Sequence, residues 1–150
     1  MLLSQGWSPM DMPARILVAD DDKFVHAVFG DLLAGAGYTV LPAWDGEEAL
    51  TVARAEHPDV ILLDIMMPKR TGIQVAQDLK TDAATRHIPI VLVSTLADAL
   101  AAQISRADVY LKKPVHPDDL VGTVGKLLAA RGDAAGVPGG DAAPAPPVIG

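Results

Sequence analysis

Five short apolar runs, each followed by a helix-like stretch, constrain this fold more than anything else in the sequence. They are RILVAD (15–20), YTVLPA (38–43), VILLD (60–64), IPIVLVS (88–94) and DVYLKK (108–113). Their length suits strands, and their unbroken apolar character suits strands buried on both faces. Between them the period changes. FVHAVFGDLLAGAG places Val25, Val28, Phe29, Leu32, Leu33 and Ala36 at the spacing of a helix lying on a sheet, with Gly35 and Gly37 to end it. GEEALTVARAEH follows Asp45, a suitable N-cap, and stops before Pro58. TGIQVAQDLKTD turns Ile73, Ala76 and Leu79 inward, and TLADALAAQISR (95–106) is a short fourth helix. In HPDDLVGTVGKLLAAR the stripe is Leu120, Val124, Leu127 and Leu128, with Pro117 fit for the first helical position and Gly132 just past the end. Strand and helix alternating five times predict an α/β domain: a five-stranded parallel sheet with helices on both faces.

Outside this pattern the chain changes character. Residues 1–13 carry no periodicity and read as a loose leader, leaving 14–131 as the folded domain. The stretch 132–150, GDAAGVPGGDAAPAPPVIG, has almost no large apolar groups and is expected to be disordered. With 150 residues, half of them hydrophobic, one domain with a substantial core is expected. A formal charge of −7 argues against nucleic-acid binding through phosphate contacts. The absence of cysteine excludes disulfides and thiolate metal sites. No apolar run approaches the roughly 20 residues of a membrane helix. The leader is a poor signal peptide, so a cytoplasmic protein is expected.

In an open parallel sheet, ligands bind beyond the carboxyl ends of the strands. There the first strand ends in Asp20-Asp21-Asp22, the third in Asp64, the fourth in Ser94-Thr95 and the fifth in Lys112-Lys113-Pro114. Singly, each has a plain structural explanation: an acidic helix start, a helix cap, a turn. Jointly they make a site. Two carboxylates about 5 Å apart repel by roughly 3 kcal/mol at an effective dielectric of 20, and a divalent cation removes that cost. Oxygen-only ligands suit Mg²⁺, with Mn²⁺ also possible, rather than zinc. One carboxylate is then free to act as a nucleophile toward phosphorus, with the ammonium and hydroxyl holding the phosphoryl oxygens.

The order of ILVADDD, GYTV with the DGEEAL segment, DIMMP-x-x-x-G, IPIVLVS and ADVYLKKP resembles the response-regulator receiver domain of two-component signalling, over about residues 14–131. The resemblance implies a flavodoxin-like (βα)₅ fold with strand order 2-1-3-4-5. It implies Asp64 as phosphoacceptor, with Asp20, Asp21, Asp64 and the Met66 backbone carbonyl around Mg²⁺. Ser94 matches the switch hydroxyl and Lys113 the phosphoryl-contacting lysine, with a cis bond to Pro114. Tyr110 matches the aromatic switch residue, expected to turn inward on activation. Asp22 is a neighbour rather than a ligand. The implied partner is a histidine kinase or histidine phosphotransfer protein. The implied output is a change in the face formed by the fourth helix, fifth strand and fifth helix, in a monomer or a phosphorylation-dependent dimer. A stand-alone receiver signalling by protein contact follows, with no enzymatic turnover beyond self-phosphorylation and self-dephosphorylation.

Two departures from the family pattern bear on behaviour. The segment from Ser94 to Lys113 is about one helical turn shorter than usual. Apolar Met66 and Leu96 stand where polar groups often assist hydrolysis, which predicts a slow loss of phosphate. His26, His57, His87 and His116 are expected on the surface. Lys69 and Arg70 are expected as solvated turn residues, and Trp44 as an exposed contact. Two alternatives use similar residues: a haloacid-dehalogenase-like Mg²⁺-dependent phosphatase, which would leave Asp64 without a role, and a phosphate-independent scaffold, which would not need so complete a set.

Overall fold

The computed structural model describes residues 12–95, 106–134 and 148–149. In chain order the elements are β1 (Arg15–Ala19), α1 (Lys23–Gly35), β2 (Thr39–Ala43), α2 (Gly46–Glu56), β3 (Val60–Leu63), α3 (Gly72–Thr81), β4 (Ile90–Ser94), β5 (Val109–Lys112), α4 (Pro117–Ala134) and β6 (Val148–Ile149). All neighbouring strands run parallel, in the order β2-β1-β3-β4-β5-β6. The first five give the expected 2-1-3-4-5 arrangement. Most of the fourth expected helix lies outside the described residues.

Strand alternation splits the core into two layers. Leu17, Ala19, Ile61, Leu63, Leu92 and Tyr110 face the side covered by α2 and α3, where they meet Ala49, Leu50, Ala53, Val75, Ala76 and Leu79. Ile16, Val18, Val60, Leu62, Val91, Val93, Val109 and Leu111 face the other side, against Phe29 and Leu33 of α1 and Leu120 and Val124 of α4. The strands β1, β3 and β4 are buried along both faces, as their unbroken apolar character requires, while β2 is half exposed.

Local chemistry sets the helix starts. Asp22 caps α1 by accepting from the Phe24 amide, Asp45 caps α2 by accepting from the Glu48 amide, and Thr71 with Gln74 forms a capping box on α3. Two expectations are corrected. Val28 is 54 % exposed, so the buried stripe of α1 is narrower than the spacing implied. Gly132 does not end the last helix, which continues to Ala134; one helical glycine costs only about 1 kcal/mol. Within the stretch expected to be disordered, Val148 and Ile149 pair with Tyr110 and Leu111. The open edge of β5 offers unpaired backbone groups, and two β-branched residues suit a strand there.

Candidate functional site

The carboxyl ends of β1, β3 and β5 converge. Asp20 follows β1 directly and Asp64 follows β3; both are buried, at 3 % and 8 % exposure, while Asp21 is exposed. One carboxylate oxygen from each of Asp20, Asp21 and Asp64 falls within 4.8 Å of the others. The Lys113 Nζ reaches in from the end of β5, 2.7 Å from Asp20 Oδ2 and 3.6 Å from Asp64 Oδ1. The other Asp20 oxygen accepts from the Asp22 amide at 2.9 Å. Two buried acids therefore share one ammonium.

That sharing leaves Asp64 under-compensated. Its loss of water, reinforced by the Asp20 charge, outweighs the pull of Lys113 and pushes its pKa up to about 6. A group of opposite charge belongs here. An octahedral Mg²⁺ holds oxygens at about 2.1 Å, which places neighbouring ligand atoms roughly 3–4 Å apart. Three carboxylate oxygens within 4.8 Å fit that requirement, and the donor set is all oxygen.

The loop after β3 is pressed against the site. A Cβ on Gly72 would lie 2.1 Å from the Asp64 carbonyl oxygen, and one on Gly46 would lie 2.2 Å from that of Arg70. Only glycine lets α3 and α2 begin so close to the Asp64 loop. Met66, two residues past Asp64, is 62 % exposed. Lys69 and Arg70 are solvated turn residues, as expected, and each also pairs with an acid: Lys69 lies 3.6 Å from Asp45, and Arg70 pairs with Asp78 of α3.

The remaining candidates fall as follows. Ser94 is buried at the end of β4 opposite Lys112, and its carbonyl accepts from the Lys113 amide at 2.8 Å. The Lys113–Pro114 bond is cis. Tyr110 is wholly buried in the α2–α3 layer, already in an inward position. Leu96 lies outside the described residues. His57 is exposed in a left-handed conformation and closes α2, His87 is exposed, and His116 accepts from the Asp118 amide at the start of α4.

His26 departs from the surface role expected of it. It is half-buried, with Nε2 2.7 Å from the Asp20 carbonyl oxygen and 3.1 Å from that of Ala43. Trp44 is 42 % exposed yet stacks on the His26 ring, with centroids 3.8 Å apart. No local pattern marks His26, because its partners are backbone carbonyls at the ends of two strands.

A family model described as the response regulator receiver domain matches residues 16–125. Among curated proteins, the chain is 38 % identical over 117 residues to a protein of Cyanophora paradoxa described as a probable transcriptional regulator, ycf27; the match covers 76 % of this chain but 48 % of that one. The chain thus spans about half the length of this relative. It is 32 % identical over 120 residues to the polar-differentiation response regulator DivK of Brucella ovis, covering 78 % of this chain and 98 % of DivK. Among solved structures, the Francisella response regulator 1452 receiver domain superposes with a TM-score of 0.73 at 31 % identity, covering 78 % of this chain and 98 % of that one. The chemotaxis response regulator CheY4 of Vibrio cholerae gives 0.73 at 29 % identity, covering 77 % and 99 %.

Proposed function

This chain belongs to the response regulator receiver domain family, and from that premise we propose that it accepts a phosphoryl group on Asp64 and signals through the face around β5. The supporting observation is the buried Asp64 carboxylate among Asp20, Asp21 and Lys113, under-compensated as it stands. In this proposal Asp20, Asp21, Asp64 and the Met66 carbonyl hold Mg²⁺. The ion supplies charge neutralisation for the carboxylates and for the incoming phosphoryl oxygens.

Asp64, as the carboxylate, attacks the phosphorus of a phosphohistidine on a kinase or phosphotransfer protein. An O–P bond forms, the P–N bond breaks, and the departing imidazole takes its proton from solvent. Lys113 moves part of its attention from Asp20 to the phosphoryl oxygens, and the Ser94 hydroxyl donates to another. The carboxyl ends of β4 and β5 are thereby drawn toward Asp64, which biases the packing of Tyr110 and the face formed by β5, α4 and the segment preceding β5.

A protein donor is favoured by the surface beside the site. Phe24, Val25, Val28, Phe29, Pro114 and Val115 line an apolar hollow next to Lys113, with Phe24 71 % exposed. No helix among the described residues is long and apolar enough to cross a membrane, and we place the relay in the cytoplasm.

Intact mass after incubation with Mg²⁺ and acetyl phosphate tests the proposal. One added phosphoryl group is expected, absent with EDTA and absent in Asp64→Asn. An adduct that persists in the variant removes Asp64 as acceptor.

A further inference from the structure

Asp20 is tied down at every polar atom of its side chain. One oxygen accepts from the Asp22 amide and the other from Lys113. Its backbone carbonyl turns to His26, 2.7 Å from Nε2, while the Asp20 amide donates to the Ala43 carbonyl at 3.1 Å. That same Ala43 carbonyl lies 3.1 Å from His26 Nε2. Both groups facing Nε2 are acceptors only, so this nitrogen carries the hydrogen and donates to the two together. The ring sits in the first turn of α1 and is stacked at 25° on Trp44, the first residue after β2. One imidazole therefore bridges the ends of two neighbouring strands at the edge of the acid cluster.

A peptide unit is planar, so holding the Asp20 carbonyl also sets the direction in which the chain enters Asp21. Asp21 is exposed and has less packing to orient it than Asp20 or Asp64. We propose that His26 is a positioning residue for the cation site: its Nε2–H fixes the Asp20–Asp21 peptide so that both carboxylates meet a divalent ion, and Trp44 fixes the ring. This rests on the acid cluster being a Mg²⁺ site. Outer groups that orient metal ligands typically carry a 10–100-fold effect on affinity.

The donor and the ring are separable by substitution. His26→Phe keeps an aromatic ring against Trp44 and deletes the donor. His26→Gln loses the ring and retains an N–H within reach of the carbonyls. Calorimetric titration of the full chain with Mg²⁺ at pH 8 is the measurement, with urea unfolding to establish that each variant is folded. His26→Phe is expected to weaken Mg²⁺ binding about tenfold, while His26→Gln stays within about threefold of wild type. Equal affinity of His26→Phe and wild type overturns the inference, as does equal weakening by Phe and Gln, since packing alone would then account for it. Should His26→Phe not fold, His26→Leu, which also deletes the donor, takes its place: it is expected to bind Mg²⁺ about tenfold more weakly than His26→Gln, and equal affinity of the two overturns the inference. A wild-type chain that takes up no Mg²⁺ overturns the cation site itself, and the role of His26 with it.

Discussion

Asp64 is the residue at which structure and chemistry oppose each other most directly. Its carboxyl titrates near 3.8 in the unfolded chain and about 6 in the fold, raised first by lost hydration and then by Asp20. Below both values it is neutral in both states and contributes nothing. As pH rises from 4 to 6 the unfolded chain releases the proton first, so folding stability falls, and above 6 the full cost is present. Two pKa units correspond to roughly 3 kcal/mol, discounted to on the order of 2 for the partial hydration of the site. In EDTA, Asp64→Asn is therefore expected to gain about 1–3 kcal/mol over wild type by urea unfolding at pH 7.5, and almost nothing at pH 4. A variant that is destabilised equally at both values would show that Asp64 is not strained. Met66 provides a second test at this scale. Its exposed side chain has no polar group to offer a water approaching the acyl phosphate. Met66→Asn is expected to shorten the phosphoryl lifetime by roughly tenfold, well under the full effect of a positioned acid or base. The decay of intact mass with time is the readout.

Among the elements, the junction of β3 and α3 governs the site. The Gly72 amide donates to the Ile65 carbonyl at 2.9 Å, and a Cβ would collide with the Asp64 carbonyl. Gly72→Ala must push the start of α3 away from Asp64. We expect a loss of about 2–4 kcal/mol in urea unfolding, the range of strained or overpacked sites, together with weaker phosphoryl uptake. Near-wild-type stability would mean the loop relaxes freely. This junction shows what the sequence makes legible. VILLD reads as a doubly buried strand because four consecutive residues are apolar, whereas the close approach that requires Gly72 shows only in the fold. The helices are legible from spacing, as Ala76 and Leu79 demonstrate, both buried, though Ile73 is only half-buried and the fully buried Val75 is not among the residues the spacing turns inward. Where spacing fails, the cause is tertiary. Val28 lies on the helical stripe but lines the open apolar hollow beside Lys113 instead of the core. Gly132 signals a stop that the helix overrides. Val148 and Ile149 form a strand only because β5 has an open edge 38 positions earlier in the pairing of Tyr110 with Val148. His26 was illegible for the same reason: Asp20 is six residues away, but Ala43 is 17 away and presents a backbone group that no side-chain pattern records.

For the whole molecule, the parallel sheet gathers its acids at one end while two apolar layers hold that end in place, in a chain of net charge −7. Any cation that binds only the folded state must then stabilise the entire domain, by RT ln(1 + [L]/Kd), or about 1.4 kcal/mol at ten times its dissociation constant. For a domain of this size that raises Tm by roughly 3–8 °C. Screening of the net negative charge would also stabilise, without any site, and the two effects separate by valence. Mg²⁺ and Mn²⁺ are expected to raise Tm saturably, while NaCl at matched ionic strength raises it little. Asp64→Asn should start from a higher Tm in EDTA, since its buried charge is gone, and should gain less from Mg²⁺. These two changes have one origin, the repulsion that the ion relieves, so they must appear together. If NaCl reproduces the Mg²⁺ shift, or if Asp64→Asn gains as much as wild type, then diffuse charge rather than a site accounts for the acid cluster, and the phosphoryl chemistry assigned to Asp64 loses its cation.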